Sequence, residues 1–244
     1  MNRRESSLLE PHKQAEIDSR TPEFMAHEAS KPFGWCPSHF IEWATVATML
    51  DAIDLSAGAT VLDIGSGSGW TSLFLAEAGY AVTGYDLVPA NVELARRRAA
   101  RWGSTARFEV GDMEALPAGE AVDGVLLFDA LHHSGRQLAA LQSIAQRLRP
   151  GGWLLLGEPT WLHRFSPEAR DTRRERGWME RGLSLRTLRR DLAAAGFTET
   201  RRFFQPTNAY TGRLRGFAWQ LARLIGSNFW VAPQTHIWLA ARRG

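Results

Sequence analysis

The 244-residue sequence predicts an α/β fold, a doubly wound, mostly parallel sheet of seven strands with helices on both faces. Three observations carry that expectation. Short apolar runs alternate with helical stretches at the spacing of βαβ units. A glycine-rich turn, Gly65-Ser66-Gly67-Ser68-Gly69, leads from the first of those runs into a helix. Acidic residues, Asp63, Asp86, Asp112, Asp129 and Glu158, stand at the carboxyl ends of the predicted strands, the edge at which such sheets bind ligands.

Residues 60–64 form a short β-branched run suited to a buried parallel strand. The glycines after it permit positive φ and close approach of a ligand, and a helix over 70–78 presents its free N–H groups there. Gly79 stops that helix, and 81–85 is the second strand, ending in Asp86. Pro89 opens and Gly103 closes the next helix, the usual proline-in, glycine-out asymmetry. Residues 106–110 make the third strand, followed by Gly111-Asp112-Met113, and 124–128 the fourth, ending at Asp129. Arg149-Pro150-Gly151-Gly152 ends a further helix before a fifth strand at 153–157. A helix over 183–195, a stop at Gly196 and a strand from Phe197 repeat the pattern, and 234–244 supplies the seventh strand.

The first turn is chemically selective. A carboxylate at Asp63, two residues ahead of Gly65, repels a pyrophosphate and attracts a ligand carrying an ammonium or sulfonium charge. Dinucleotide sites place their third glycine one residue later than Gly69, and a phosphate-binding loop needs lysine where Trp70 stands. Asp86 is placed to accept hydrogen bonds from ribose hydroxyls.

The run Asp63-Ile64-Gly65-Ser66-Gly67-Ser68-Gly69, with Asp86 at its interval, resembles the first motifs of the class I S-adenosylmethionine-dependent methyltransferases. The resemblance extends over about residues 60–197 and implies a last strand antiparallel to the others, with helical lid insertions. It implies S-adenosylmethionine as cofactor, bound by Asp63, Gly65, Ser66, Gly67, Gly69, Asp86 and Leu87. Asp112 and Met113 then serve the adenine, and Asp129 lies beside the methionine portion. A helix ahead of the first strand, here over 39–53, covers the pocket in that family, so Trp35, His39 and Trp43 are candidates for its substrate side. The Leu131-His132-His133 segment is similar to the branch that methylates small molecules, including quinone-type precursors, on oxygen or carbon. The tetrapeptide typical of nucleobase and glutamine amino-group methylation is absent there.

Composition fits one soluble domain over 1–244: an arm and covering helix (1–55), a cofactor core (56–160), an insertion (161–182), a core helix and strand (183–205), a lid (206–233) and the last strand. Residues 1–30 are polar and expected to be partly disordered. There is no apolar run of the roughly 18 residues a membrane span needs, and no secretory leader is visible, which favours the cytoplasm. One cysteine, Cys36, excludes an internal disulfide framework, and no metal site is predicted. Charge is divided unevenly: 11 Lys+Arg against 19 Asp+Glu in 1–146, and 18 against 7 in 147–244. Leu214, Phe217, Leu221, Leu224 and Ile225 recur at helical spacing, so 211–230 reads as an amphipathic helix on the core, or as a weak membrane-surface contact.

Because the donor arrives activated, the protein mainly aligns it with the acceptor, and a base helps if the acceptor is a hydroxyl or an acidic carbon. His132, His133 and Glu158 are the candidates, with orientation of a substrate hydroxyl as the other role for Glu158. Three functions follow in order. The first is methylation of a small-molecule acceptor. The second is RNA methylation, suggested by the arginine-rich second half but opposed by the interleaved Glu168, Asp171, Glu175 and Glu180. The third is a non-catalytic cofactor-binding regulator.

Overall fold

A computed structural model describes residues 10–34, 38–53, 55–205 and 236–244. The Trp35 and Cys36 expectations and the proposed lid and amphipathic helix of 206–233 lie outside the described residues. In chain order the elements are α1 (Pro11–Asp18), α2 (Pro22–Ser30), α3 (Ser38–Ala52), β1 (Thr60–Ile64), α4 (Trp70–Glu77), β2 (Ala81–Asp86), α5 (Pro89–Trp102), β3 (Arg107–Val110) and β4 (Val122–Phe128). They continue with α6 (Gln137–Arg147), β5 (Leu148–Pro159), α7 (Pro167–Arg176), α8 (Leu185–Ala194), β6 (Phe197–Phe203) and β7 (His236–Arg243), with 3₁₀ turns at Leu131–His133 and Trp161–Phe165.

The seven strands lie in the order β3-β2-β1-β4-β5-β7-β6. Every pairing is parallel except those of β7, which runs antiparallel between β5 and β6. The order reverses between β1 and β4, so their carboxyl ends flank the crevice where doubly wound sheets bind ligands. Strand alternation splits the core in two. Val61, Leu126 and Leu155 face α3, α4 and α5 through Met49, Leu73 and Val92. Leu62, Leu127 and Leu154 face α6 and α8 through Leu141, Ile144 and Leu188. Among the described residues no helix is long and apolar enough to cross a membrane.

One expectation is corrected. The fifth strand begins at Leu148, five residues before the predicted 153, because Leu148 already pairs with Val122 ahead of the Pro150-Gly151-Gly152 stretch. Its pairing with β4 shifts register between Val122 and Gly124, and Gly151 takes a φ of 80° there. Within the polar arm, residues 11–18 and 22–30 form α1 and α2, while residues 1–9, on which the expectation of partial disorder also falls, lie outside the described residues. Each helix carries proline at its first turn, and the Thr21 hydroxyl accepts from the Phe24 N–H, capping α2. Lys13 pins α1 to the sheet edge, its Nζ 2.8 Å from Asp112 Oδ2 and 2.7 Å from Glu114 Oε2.

Candidate active site

A cavity of about 1130 Å³ opens at the carboxyl ends of β1, β2, β4 and β5 and is roofed by α1, α2 and the 161–182 insertion. Gly65, Ser66, Gly67, Asp86, Leu87, Asp112, Met113, Asp129, His132 and His133 all line it. Asp63, Gly69 and Glu158 do not; the structure places them one layer beneath.

The glycine turn is locked to β2 by two hydrogen bonds into the Tyr85 carbonyl, from Gly65 N (2.7 Å) and Ser66 N (3.0 Å). Gly65 has a φ of 72°, and a Cβ there would stand 2.4 Å from that of Ala130, so only glycine lets the turn close on the end of β4. Gly69 has a packing role instead: a Cβ would meet Phe108 and Ala95 at 2.7–2.8 Å.

Asp63 is 1% exposed. Its Oδ2 accepts from Thr71 Oγ1 (2.6 Å) and Ser72 Oγ (2.5 Å), tying β1 to the first turn of α4. Burial pushes its carboxyl up to about 6 against those hydrogen bonds. The expectation that Asp63 reaches a cationic ligand does not match this placement: the side chain positions the cradle from behind. Asp86 is the carboxylate that faces the cavity. It accepts from Gly67 N (2.8 Å), Val88 N (2.9 Å) and Asn91 Nδ2 (3.1 Å). Since a carboxylate offers about four acceptor sites, it retains capacity for a ligand hydroxyl. Ser66 Oγ and Asn91 Oδ1, both on the cavity wall, are buried without a hydrogen-bond partner among the described residues. Unpaired polar atoms beside a cradle this tight fit a ribose-bearing ligand. Asp112, the adenine candidate, is shared: Oδ2 holds Lys13 and Oδ1 accepts from Glu114 N at 2.9 Å.

Beside the cradle, Asp129 ends β4 in the left-handed region at φ 52°, a conformation aspartate tolerates better than most residues. Its side chain is 53% exposed, and what desolvation it suffers is outweighed by the neighbouring histidines, His132 foremost, which hold the carboxyl well below the usual carboxylate range. Glu158 is fully buried and fully engaged. Oε1 accepts from Ala130 N (2.9 Å) and Leu131 N (2.8 Å), while Oε2 accepts from His132 N (3.2 Å) and lies 2.9 Å from His132 Nδ1. It therefore shapes the 129–133 turn and has no lone pair directed into the cavity. His132 is 3% exposed. Burial opposes its charge, but the bond to Glu158 and the charges of Glu158, Asp129 and Glu180 prevail and raise it to about 9. A ring already protonated at neutral pH is a poor proton acceptor. At His133 the Nδ1 lies 2.8 Å from the Met179 carbonyl and must donate, which leaves Nε2 as the acceptor of the neutral tautomer.

Sequence reasoning missed Glu180, Trp178 and Arg20. Glu180, buried in the insertion, lies 2.8 Å from His163 Nε2 and 3.5 Å from His132 Nε2. His132, His133 and Glu180 each bring a ligand-type atom within 4.8 Å of the others, a spacing that would accept a metal ion. The bonds to Glu158, Met179 and His163 also complete the group as a hydrogen-bond network. The available signal was Ser166-Pro167-Glu168, a helix start that the structure uses for α7, with the Ser166 hydroxyl accepting from Ala169 N. His39 lines the cavity as expected, whereas Trp43 packs into the aromatic core against Trp70 and Phe74.

A family described as "Methyltransferase domain" matches residues 61–152. Curated relatives include ubiquinone biosynthesis O-methyltransferases from Paramagnetospirillum magneticum (41% identical over 95 residues, 39% of this chain and 38% of that one) and Cereibacter sphaeroides (32% over 159 residues, 62% and 64%). A third, from Methylocella silvestris, is 32% identical over 188 residues, 72% of this chain and 70% of the relative. The first two matches thus span less than two thirds of those relatives. Similar folds include Haemonchus contortus phosphoethanolamine N-methyltransferase 2 in complex with S-adenosyl-L-methionine (TM-score 0.69, 16% identity, 97% of this chain and 60% of that one). Another is Synechocystis magnesium protoporphyrin IX methyltransferase with its bound demethylated product (TM-score 0.65, 18% identity, 95% and 100%). Identity at that level over 70% of the Methylocella relative decides the question, and the chain belongs to the class I S-adenosylmethionine-dependent methyltransferases.

Proposed function

We propose that this protein methylates an oxygen or a carbon of a small-molecule acceptor, with S-adenosylmethionine as donor and His133 as the base. One observation carries the reading: the glycine cradle with Asp86 and the carbonyl-oriented His133 line opposite parts of a single roofed cavity. That volume accommodates a cofactor and a metabolite together. The relatives named as ubiquinone O-methyltransferases favour oxygen as the atom modified.

The cofactor, when bound, supplies a methyl group activated by its sulfonium charge. Asp86, Ser66 and Asn91 are the residues placed to hold its ribose, and Leu87, Asp112 and Met113 line the wall beyond. Asp129 contributes negative charge at the end of β4. His133 accepts the acceptor's proton at Nε2 while the Met179 carbonyl fixes its tautomer. His132 and Glu158 hold the turn that carries it. Two arginines of the insertion favour small-molecule over RNA methylation, because they are spent on the insertion itself and on that turn. Arg173 donates to the Glu180 and Arg164 carbonyls, and Arg181 to that of Ser134. Incubation with methyl-labelled donor and fractionated metabolite extract is expected to give a labelled product of low mass that survives ribonuclease. Label appearing only in RNA, or none despite donor binding, contradicts the proposal.

A further inference from the structure

We infer that Arg20 is the anchor for a carboxylate on the methyl acceptor, held at the cavity wall against the rings of Phe24 and Trp178. The inference rests on the methyltransferase reading above and specifies the acceptor's chemistry.

Arg20 sits between α1 and α2, lines the cavity, and has a side chain only 6% exposed. Its guanidinium carbon lies 4.6 Å from the Phe24 ring centre and 4.5 Å from that of Trp178. Nη2 reaches Glu16 at 3.4 Å, but Nε and Nη1 are buried with no hydrogen-bond partner among the described residues. The other nearby carboxylates make their hydrogen bonds to other groups. Asp86 accepts from Gly67, Val88 and Asn91, and Glu28 pairs with Lys31 at 2.7 Å. Leaving a buried cation with idle donors is costly, and burial already pushes this guanidinium's pKa down. An anionic ligand removes that cost. A planar guanidinium lying against this edge-to-face pair, whose ring centres stand 5.6 Å apart, presents its donors in the geometry a carboxylate matches. Arg176 adds a second positive charge against the same rings, at 4.7 and 5.3 Å.

Position links this anchor to the chemistry. Trp178 is fixed by its Nε1 donating to Ser19 Oγ at 2.7 Å, and its indole meets His133 edge-on at 5.8 Å. Arg20 and His133 therefore contact the same indole. An aromatic acid lying along that ring reaches both, its hydroxyl toward His133 and its carboxylate toward Arg20. An acceptor lacking the acid leaves the two donors unpaired and is rejected for that reason.

The test is calorimetry on the full chain saturated with S-adenosylhomocysteine, titrated with 3,4-dihydroxybenzoate or catechol, which differ only in the carboxylate. Wild type is expected to bind the acid at least ~10-fold more tightly than the neutral compound, one charged hydrogen-bonded contact. Arg20→Gln is expected to abolish that preference while leaving catechol and S-adenosylhomocysteine binding unchanged. Arg20→Lys, with the charge but not the fork, keeps part of it. Equal binding of the two compounds by wild type overturns the inference, and decides the matter if Arg20→Gln fails to fold. It is also overturned if Arg20→Gln weakens S-adenosylhomocysteine but not methylthioadenosine, which lacks the amino-acid end, since Arg20 would then serve the cofactor's carboxylate. Failure of the methyltransferase reading itself looks different: wild type would not bind S-adenosylhomocysteine.

Discussion

His133→Ala is expected to lower kcat by ~10²–10⁴, the usual contribution of a positioned base, with donor affinity unchanged. Stability should fall little, by about 1 kcal/mol, since one partly exposed hydrogen bond to Met179 is lost. A turnover series on His133→Ala and His133→Gln with the true acceptor checks this. Undiminished turnover would mean that alignment alone drives transfer and that the tautomer set by Met179 is incidental. His132→Ala should behave differently. That ring is buried between Glu158 and Glu180, so its loss shows first as instability.

Glu158→Ala is expected to cost about 4 kcal/mol or more in urea denaturation, enough to unfold a marginal domain. The variant strips an acceptor from three backbone N–H groups and leaves the His132 charge buried without its closest partner. Glu158→Gln retains an oxygen for the backbone and should lose about half as much. The pH dependence has a definite sign. The folded pKa of His132, raised to about 9, exceeds the ordinary histidine value near 6.5. Its stabilisation is therefore fully present below about pH 6.5 and is lost as pH rises toward 9. The urea midpoint of wild type should drop across that window, and that of Glu158→Gln should drop less. An unchanged midpoint in the alanine variant would show that other groups hold the 129–133 turn.

The half of the sheet from β1 to β3 was legible because its punctuation is local. Glycines at 65, 67 and 69, the Pro89 start and the Gly103 stop act within a few residues of where they stand. The start of β5 was misread because Pro150-Gly151-Gly152 carries the same signals as a helix stop, whereas the pairing of Leu148 with Val122 ahead of it starts the strand earlier. The acids at the sheet edge were identified as residues, but their depth was invisible. Asp63 and Glu158 look equivalent to Asp86 in sequence, yet Thr71, Ser72 and the 130–132 backbone draw them inward. The far wall of the cavity escaped detection for a different reason. Lys13 meets Glu114 and Arg20 meets Trp178 across about a hundred residues or more of chain, contacts created only when α1, α2 and the insertion fold over the strand ends. Helices α1 and α2 carry proline and cap signals but little apolar periodicity, because ion pairs do much of the work of holding them.

The central claim is that the turn after β1, with Asp86, binds an S-adenosyl ligand. Calorimetry with S-adenosylhomocysteine on wild type and Asp86→Ala tests it most directly. Stoichiometric binding that weakens at least ~10-fold in the variant is the result expected from losing a charged acceptor of ribose hydroxyls. No heat with S-adenosylhomocysteine, alongside tight binding of a nicotinamide dinucleotide or ATP, would contradict the account.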